Sequence, residues 1–277
     1  MKILILGASG YAGACIKKVL KKGFESVLGT YRTWKEEYRA DSTMLQLELG
    51  DARRLREVLN QCRPNVVISC VTGDFSQQME AHKLVAEYLA AQGEGKLIYL
   101  STANVFDGAL EAPHFEQDAP KAASPYGKFK IACETCIRDR LGERCVIVRI
   151  PEIWGRGCPR LRKLLRAVQE GTPIQSYGNL FVNYTTNAQI AQWIAFFLER
   201  DLRGVFHIGT RDLREYTAFL RELLQALGLQ PPAFQVEECG GPLYQAVLPS
   251  RKDIPDYLQF DVADVIAYLV ENRPAVG

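Results

Sequence analysis

The feature that most constrains this chain lies at its start. KILIL, residues 2–6, runs straight into GASGYAG, residues 7–13, and an amphipathic stretch follows to residue 22. A short apolar run that breaks into glycines spaced GxxGxxG and then into helical periodicity reads as a strand, a tight turn and a helix N-terminus. Glycines at 7, 10 and 13 let the backbone turn sharply and leave room where a side chain would stand in the way of a ligand. Such a turn collects the amides of Gly7, Ser9, Gly10, Tyr11, Ala12 and Gly13 around the positive end of a helix, a favourable place for a diphosphate.

The rest of the first half repeats this alternation. Apolar runs SVLGTY, MLQLEL, NVVISC, KLIYLS and CVIVRI take turns with helix-period segments near 51–62, 77–92 and 125–141. Strand and helix in alternation imply right-handed crossovers and a parallel sheet covered on both faces. The expected class is therefore α/β, a doubly wound parallel sheet of the Rossmann type, and in that setting the glycine loop reads as a dinucleotide site. Residues 1–152 are expected to form this dinucleotide-binding domain. Beyond them proline and glycine become frequent, and helical patterns near 159–170, 187–200, 213–227 and 261–272 imply a smaller, mainly helical C-terminal substrate lobe over 153–277. Part of 182–212, which includes the strand-like GVFHIG, is expected to pack back on the first domain.

Bulk properties exclude several classes. The 277 residues are 24% charged and 47% hydrophobic with a net charge of +2, which favours neither disorder nor nucleic-acid binding. The apolar run before Gly7 is too short for a signal core or a membrane span. Cysteines at 15, 62, 70, 133, 136, 145, 158 and 239 are scattered without the paired spacing of metal sites, and the one CxxC, Cys133 to Cys136, falls inside a helical pattern. The expectation is a cytoplasmic protein with reduced thiols, no metal and no membrane or nucleic-acid partner. The oligomeric state is left open, with a homodimer allowed.

SPYGKFKIACE, residues 124–134, places Tyr126 four residues before Lys130, so that both share a helix face. Ser124 and Pro125 read as an N-cap and a first-turn proline. A tyrosine hydroxyl is mostly neutral at pH 7, and a nearby ammonium favours its ionised form, which makes it a useful acid-base group. Tyr31 and Lys35 have the same spacing, but they follow the second strand at the adenosine end of a cofactor, where a proton donor has nothing to act on. The fifth strand ends in STANVFDG, so Ser101 or Thr102 reaches the crevice at the carboxyl edge of the sheet, and Thr102 is the chosen hydroxyl donor. At the end of the second strand GTYRT offers no carboxylate for a ribose hydroxyl. Arg32, helped by Thr30 and Thr33, instead suits a 2′-phosphate, so NADP(H) is preferred and NAD(H) remains open.

In this order and context GASGYAG, LSTANVFDG and PYGKFK resemble the extended short-chain dehydrogenase/reductases. STANVFDG followed by YGKFKIACE is most similar to the dTDP-4-dehydrorhamnose reductase family, whose motifs read STDYVFDG and YGxSKxxxE. The resemblance implies Thr102, Tyr126 and Lys130 as catalytic residues, with Tyr126 and Lys130 also at the nicotinamide ribose. It implies Glu48 and Leu49 flanking the adenine, Cys70, Val71 and Thr72 lining the cofactor through their backbones, and Pro151 near the nicotinamide. Thr102, Asn104 and Glu152 are expected on the substrate side. The implied reaction is NADP(H)-dependent reduction of a keto group on a nucleotide-activated sugar. An epimerase with retained NAD(H) and a non-catalytic dinucleotide-binding subunit are the alternatives. The chain departs from the family pattern at Ala103 and Asn104, which stand for Asp and Tyr, and in a shorter 72–96 segment that lacks the helix asparagine. A 4,6-dehydratase is disfavoured, because it needs an Asp-Glu pair after the threonine.

PRLRKLLR places Arg160, Arg162, Lys163 and Arg166 on one predicted helix, where one or two charges suit a diphosphate and the others a solvated face. Lysines 17, 18, 21 and 22 are expected to face solvent. His82 is expected on a helix, His207 in a packed strand and His114 in an exposed loop.

Overall fold

The structure, a computed structural model, describes residues 1–272. In chain order its elements are β1 (Lys2–Leu6), α1 (Tyr11–Leu20), β2 (Ser26–Tyr31), β3 (Met44–Gln46), α2 (Ala52–Cys62), β4 (Val66–Ser69), α3 (Phe75–Ala91), β5 (Lys96–Leu100), α4 (Pro125–Leu141) and β6 (Cys145–Arg149). They continue with β7 (Glu152–Trp154), α5 (Pro159–Glu170), β8 (Ile174–Val182), β9 (Tyr184–Thr186), α6 (Asn187–Glu199), β10 (Gly204–His207), β11 (Arg214–Glu215), α7 (Tyr216–Ala226), β12 (Phe234–Gln245) and α8 (Val262–Glu271). Two compact units result: Met1–Thr102, Pro125–Val148 and Ile190–Phe206 in the first, Ala103–Ser124, Arg149–Gln189 and the chain from His207 in the second. A single cut at residue 152 does not follow this path, because 103–124 and 149–152 group with the second unit. The reason is backbone pairing: Ala103 N–H donates to the Ile150 carbonyl, His114 N–H to Ala246 and Tyr244 N–H to Leu110.

The first unit holds the large sheet, in the order β10-β6-β5-β4-β1-β2-β3, with the six strands from β3 to β6 paired in parallel. Strands β4 and β6 are buried along their whole length, and β1 and β5 along all but one residue, as expected where helices cover both faces. From β1 the chain winds outward through β2 and β3, then returns to start again at β4. Strand order therefore reverses between β1 and β4, the place where a crevice opens beyond the strand ends. Asp51 caps α2 by accepting from Arg54 N–H at 2.8 Å, and Asp74 caps α3 by accepting from Gln77 N–H at 2.9 Å. Lys17 corrects an expectation. It is buried and paired with Asp41 at 3.0 Å, so its stem covers apolar surface while its ammonium neutralises a carboxylate.

The second unit carries strands that the helical patterns did not announce. Beside α5, α7 and α8 it carries a three-stranded sheet, β11-β8-β12, and a two-stranded one, β7-β9. Strand β8 alternates buried and exposed along its first six residues, with Gln175, Tyr177 and Asn179 outward. Its partner β12 contains Glu237, Glu238 and a Gly-Gly pair, and its register shifts between Glu238 and Leu243. These polar and glycine residues hide both strands in the sequence, whereas the outward face of β8 and the edge position and irregularity of β12 tolerate them. The cysteine thiols at 15, 62, 70, 133, 136, 145 and 158 are all free.

Candidate active site

In the first unit a groove of about 330 Å³ runs along the carboxyl ends of β1 to β4. Gly7, Ser9 and Gly10 wall it after β1, Arg32 and Thr33 after β2, Glu48 and Leu49 beyond β3, and Cys70, Val71 and Thr72 after β4. Gly7 turns the chain at φ +78°, and a Cβ there would stand 3.1 Å from the Cys70 carbonyl oxygen across the strand reversal. Gly13 is needed for a different reason. A Cβ at this position would lie 2.3 Å from the Gly7 carbonyl oxygen, so α1 packs against its own loop only without one.

Three loop amides are already used. Gly7 N–H donates to Thr30 Oγ1 at 3.0 Å, Ser9 N–H to the Thr30 carbonyl at 3.3 Å, and Gly10 N–H to the Gly7 carbonyl at 3.0 Å. Gly10 gives α1 no side-chain cap, which leaves the amides of Ala12 and Gly13 in its first turn as donors for an anion. The glycine cradle and these donors fit a dinucleotide diphosphate. Arg32 is exposed at the groove, while Tyr31 is buried and stacked on Tyr38 at 4.5 Å, which removes it from acid-base work.

At β5 the two hydroxyls separate. Ser101 is buried and donates to Glu134 Oε1 at 2.5 Å, whereas Thr102 is half-buried at the strand end. On α4, Tyr126 is 41% exposed, with its ring 6.0 Å from that of Phe75, and Lys130 is 4% exposed. The Lys130 ammonium donates to the Leu100 carbonyl at 2.7 Å and sits 4.2 Å from the centre of the Tyr99 ring. Burial draws its pKa down to about 8, against the opposite pull of Cys133, Glu134 and Cys70. Burial also pushes the Cys70 thiol up to about 12, so this groove-lining cysteine stays neutral. A tyrosine hydroxyl and a buried ammonium on one helix face, behind a hydroxyl at a strand end, can pass a proton to an oxygen bound beside them.

The sequence model described as RmlD substrate binding domain matches residues 1–264. The chain belongs to this family. It is 25% identical over 242 residues to a dTDP-4-keto-6-deoxy-D-glucose reductase of Streptomyces niveus, covering 82% of the chain and 79% of the relative. It is 28% identical over 230 residues to methionine adenosyltransferase 2 subunit beta of Danio rerio, covering 76% and 69%. Its fold is that of a dTDP-4-dehydrorhamnose reductase from Bacillus anthracis solved in complex with NADP, at a TM-score of 0.79, 18% identity and 98% and 99% coverage.

In this RmlD-family chain the remaining predicted residues belong to the second unit. Glu152, Trp154, Arg160, Lys163, Arg166 and Tyr216 line a pocket of about 500 Å³. Glu152 accepts from Trp154 Nε1 at 3.1 Å and pairs with Arg160 at 3.2 Å, while burial pushes its carboxyl up and these two partners pull it back. Arg162 is exposed on the same helix. Pro151 is buried against Gly209. Asn104 is half-buried in the 103–106 turn and hydrogen-bonds Asp107. Asp107 is a residue that sequence reasoning missed: it accepts from the Ala123 and Ser124 amides and from the Ser124 hydroxyl, directly before α4. Burial opposes its ionisation, but these donors outweigh it and hold the carboxyl low. Its signal was the Asp-Gly pair closing STANVFDG. His114 is not an exposed loop residue but stacks on Phe106 at 4.1 Å. Among the described residues there is no cluster of histidine, cysteine, aspartate or glutamate that would hold a metal, and no helix is long and apolar enough to cross a membrane.

Proposed function

We propose that the chain is an NADP(H)-dependent reductase of a keto group on a nucleotide-activated sugar. The observation that carries this reading is the alignment, within one unit, of a glycine cradle at the strand reversal with Thr102, Tyr126 and Lys130 at the next strand end and helix. The first turn of α1, through the Ala12 and Gly13 amides, would hold the diphosphate, with Gly7, Ser9 and Gly10 shaping the wall beside it. Glu48, Leu49 and Cys70 to Thr72 would wall the rest of the cofactor, and Arg32 would meet a 2′-phosphate, with Pro151 at the nicotinamide end. The bound cofactor supplies a hydride to the carbonyl carbon. Thr102 donates a hydrogen bond to the carbonyl oxygen, and Tyr126 gives that oxygen its proton. Lys130, held in place by burial among α4, β4 and β5 and by the Leu100 carbonyl, favours in its charged form the tyrosine anion left behind. Glu152 and Asn104 are assigned to the substrate side, the first unit to the cofactor role and the second to the substrate role. The free cysteines support a reducing compartment, and we place the protein in the cytoplasm.

The test is a panel of keto-sugar nucleotides assayed for NADPH and NADH oxidation, with Tyr126→Phe beside the native chain. Turnover in Tyr126→Phe is expected to fall by about 10²–10⁴-fold while the NADPH dissociation constant, read by fluorescence, stays within a factor of about two. Unchanged turnover would remove Tyr126 from the mechanism. A second reading, a non-catalytic dinucleotide-binding subunit, is favoured by the 28% relative whose description is that of a subunit. Thermal stabilisation by NADPH with no oxidation by any keto sugar would select it.

A further inference from the structure

Lys130 is held in an unusual way for a buried cation. Its contacts are the Leu100 carbonyl at 2.7 Å and the face of the Tyr99 ring, 4.2 Å from the ring centre, rather than a carboxylate. Tyr99 is 1% exposed and lies in the middle of the buried sheet. Its ring is itself braced. The fully buried His82 of α3 meets it edge-on at 4.8 Å and 78°, and His82 Nε2 is in turn fixed by Ser69 Oγ at 2.7 Å. This chain of contacts from β4 through α3 to β5 and α4 ends at the ammonium and serves no backbone need.

We propose that the Tyr99 ring is the seat of Lys130: it keeps the ammonium charged and in place on the face of α4 that carries Tyr126, and so acts as a positioning residue for the proton transfer proposed above, on which this inference rests. An aromatic face attracts a cation through its quadrupole, most strongly where water is excluded. It carries no net charge. A carboxylate in the same place would hold Lys130 as firmly, but it would cancel most of the positive field felt by Tyr126, one helical turn before it on α4. A ring keeps the cation and leaves its field intact.

The titratable groups that face Lys130 are Tyr99 on β5, Cys70 beyond β4, His82 on α3, and Cys133 and Glu134 on α4, with Tyr126 one turn before it on the same helix. Burial leaves His82 neutral, with its pKa pushed down to about 3, and it raises the thiols of Cys70 and Cys133 to about 12 and about 11. Loss of the Lys130 proton, near pH 8, is therefore the change expected to set the alkaline limb of a rate profile.

The test uses the full chain with NADPH bound. Position 99 carries phenylalanine, 4-fluorophenylalanine or 3,4,5-trifluorophenylalanine, which keep the ring shape while weakening its negative face, and Tyr99→Leu removes the ring. Lys130 is followed through its side-chain Cε signal in [6-¹³C]lysine-labelled protein, assigned by its absence in Lys130→Arg. Thermal melts check that each variant folds. The charged form loses its partner as fluorines are added, so the Lys130 pKa is expected to fall stepwise, by about one unit over the series. The alkaline limb of keto-sugar reduction should move with it. An identical Lys130 titration across the fluorinated series would overturn the proposal and make Tyr99 a space-filling core residue. The NMR titration needs no sugar substrate. A shifting Lys130 without turnover would uphold the seat and reject the reductase reading.

Discussion

In the first unit the groove follows four strand ends and takes Gly7, Gly10 and Gly73 into its wall, while Lys130, buried on α4, rests on a carbonyl and a ring. In the second unit the pocket is walled by side chains, with Arg160, Lys163 and Arg166 set against Glu152 and Glu170. Backbone walls have fixed positions and are insensitive to which side chain they carry, provided that the glycines remain. Walls of charged side chains can be rearranged or replaced one at a time. The first arrangement suits a ligand whose shape never changes, and the second suits a ligand that differs between relatives.

The sharpest way to break this contrast is a pair of glycine substitutions. Gly13→Ala puts a Cβ against backbone, 2.3 Å from the Gly7 oxygen, and is expected to cost about 3 kcal/mol and to abolish measurable NADPH binding. Gly209→Ala in the second unit meets side chains, Asn183 Nδ2 at 2.5 Å and Pro151 Cγ at 2.7 Å, and is expected to cost about half as much with NADPH binding retained. Urea unfolding and a cofactor titration on both variants decide the matter; equal losses would erase the distinction.

Next in size is Arg32. Arg32→Ala should raise the NADPH dissociation constant by about 10–100-fold, the loss of one or two charged hydrogen bonds, and leave NADH nearly unchanged. Arg160→Ala should alter neither value, since its partner in the structure is Glu152. An Arg32 effect shared equally by both nucleotides would withdraw the 2′-phosphate assignment.

At neutral pH the smallest difference concerns the two buried histidines, one in each unit, whose effect grows only in acid. Burial pushes both His82 and His207 down to about 3, with Arg149 adding to the effect at His207. Both are neutral in the folded chain. Below an unfolded value of about 6.5 only the unfolded chain takes up their protons, so stability is full above that pH and declines toward pH 3 by up to about 1.4 kcal/mol per unit for each histidine. His82→Asn and His207→Asn should each flatten unfolding free energy against pH by one histidine's share. A slope unchanged in one of them would show that its histidine is already solvated.

The first unit was readable because its candidate site lies where strands end, so the residues proposed for it come in short contiguous runs: GASG, GTYRT, LSTA. Tyr126 and Lys130 could be told from Tyr31 and Lys35 by the element that carries each pair. What escaped reading depends on residues far apart in sequence. Glu116 accepts from the Ser250 amide and hydroxyl and from the His207 amide, and nothing local to PHFEQ announces it. Strand β12 escaped because an edge strand with polar and glycine residues lacks a clear period, and β8 because its inward positions include Ser176 and Gly178 rather than apolar side chains. Lys17 was misread because a doubled lysine looks like surface charge, while Asp41, its partner, lies beyond β2.

The interleaved path of the chain also sets the order in which the protein can be made. Strand β10 and the greater part of α6 belong to the first unit, and β10 pairs with β6 at one margin of the large sheet. During synthesis that sheet cannot close until residue 206 has left the ribosome, by which time the second unit is already partly present. A fragment ending at residue 152 would hold every motif of the cofactor groove and yet leave β6 with an open margin, apolar from Cys145 to Val148, a template for pairing with another chain.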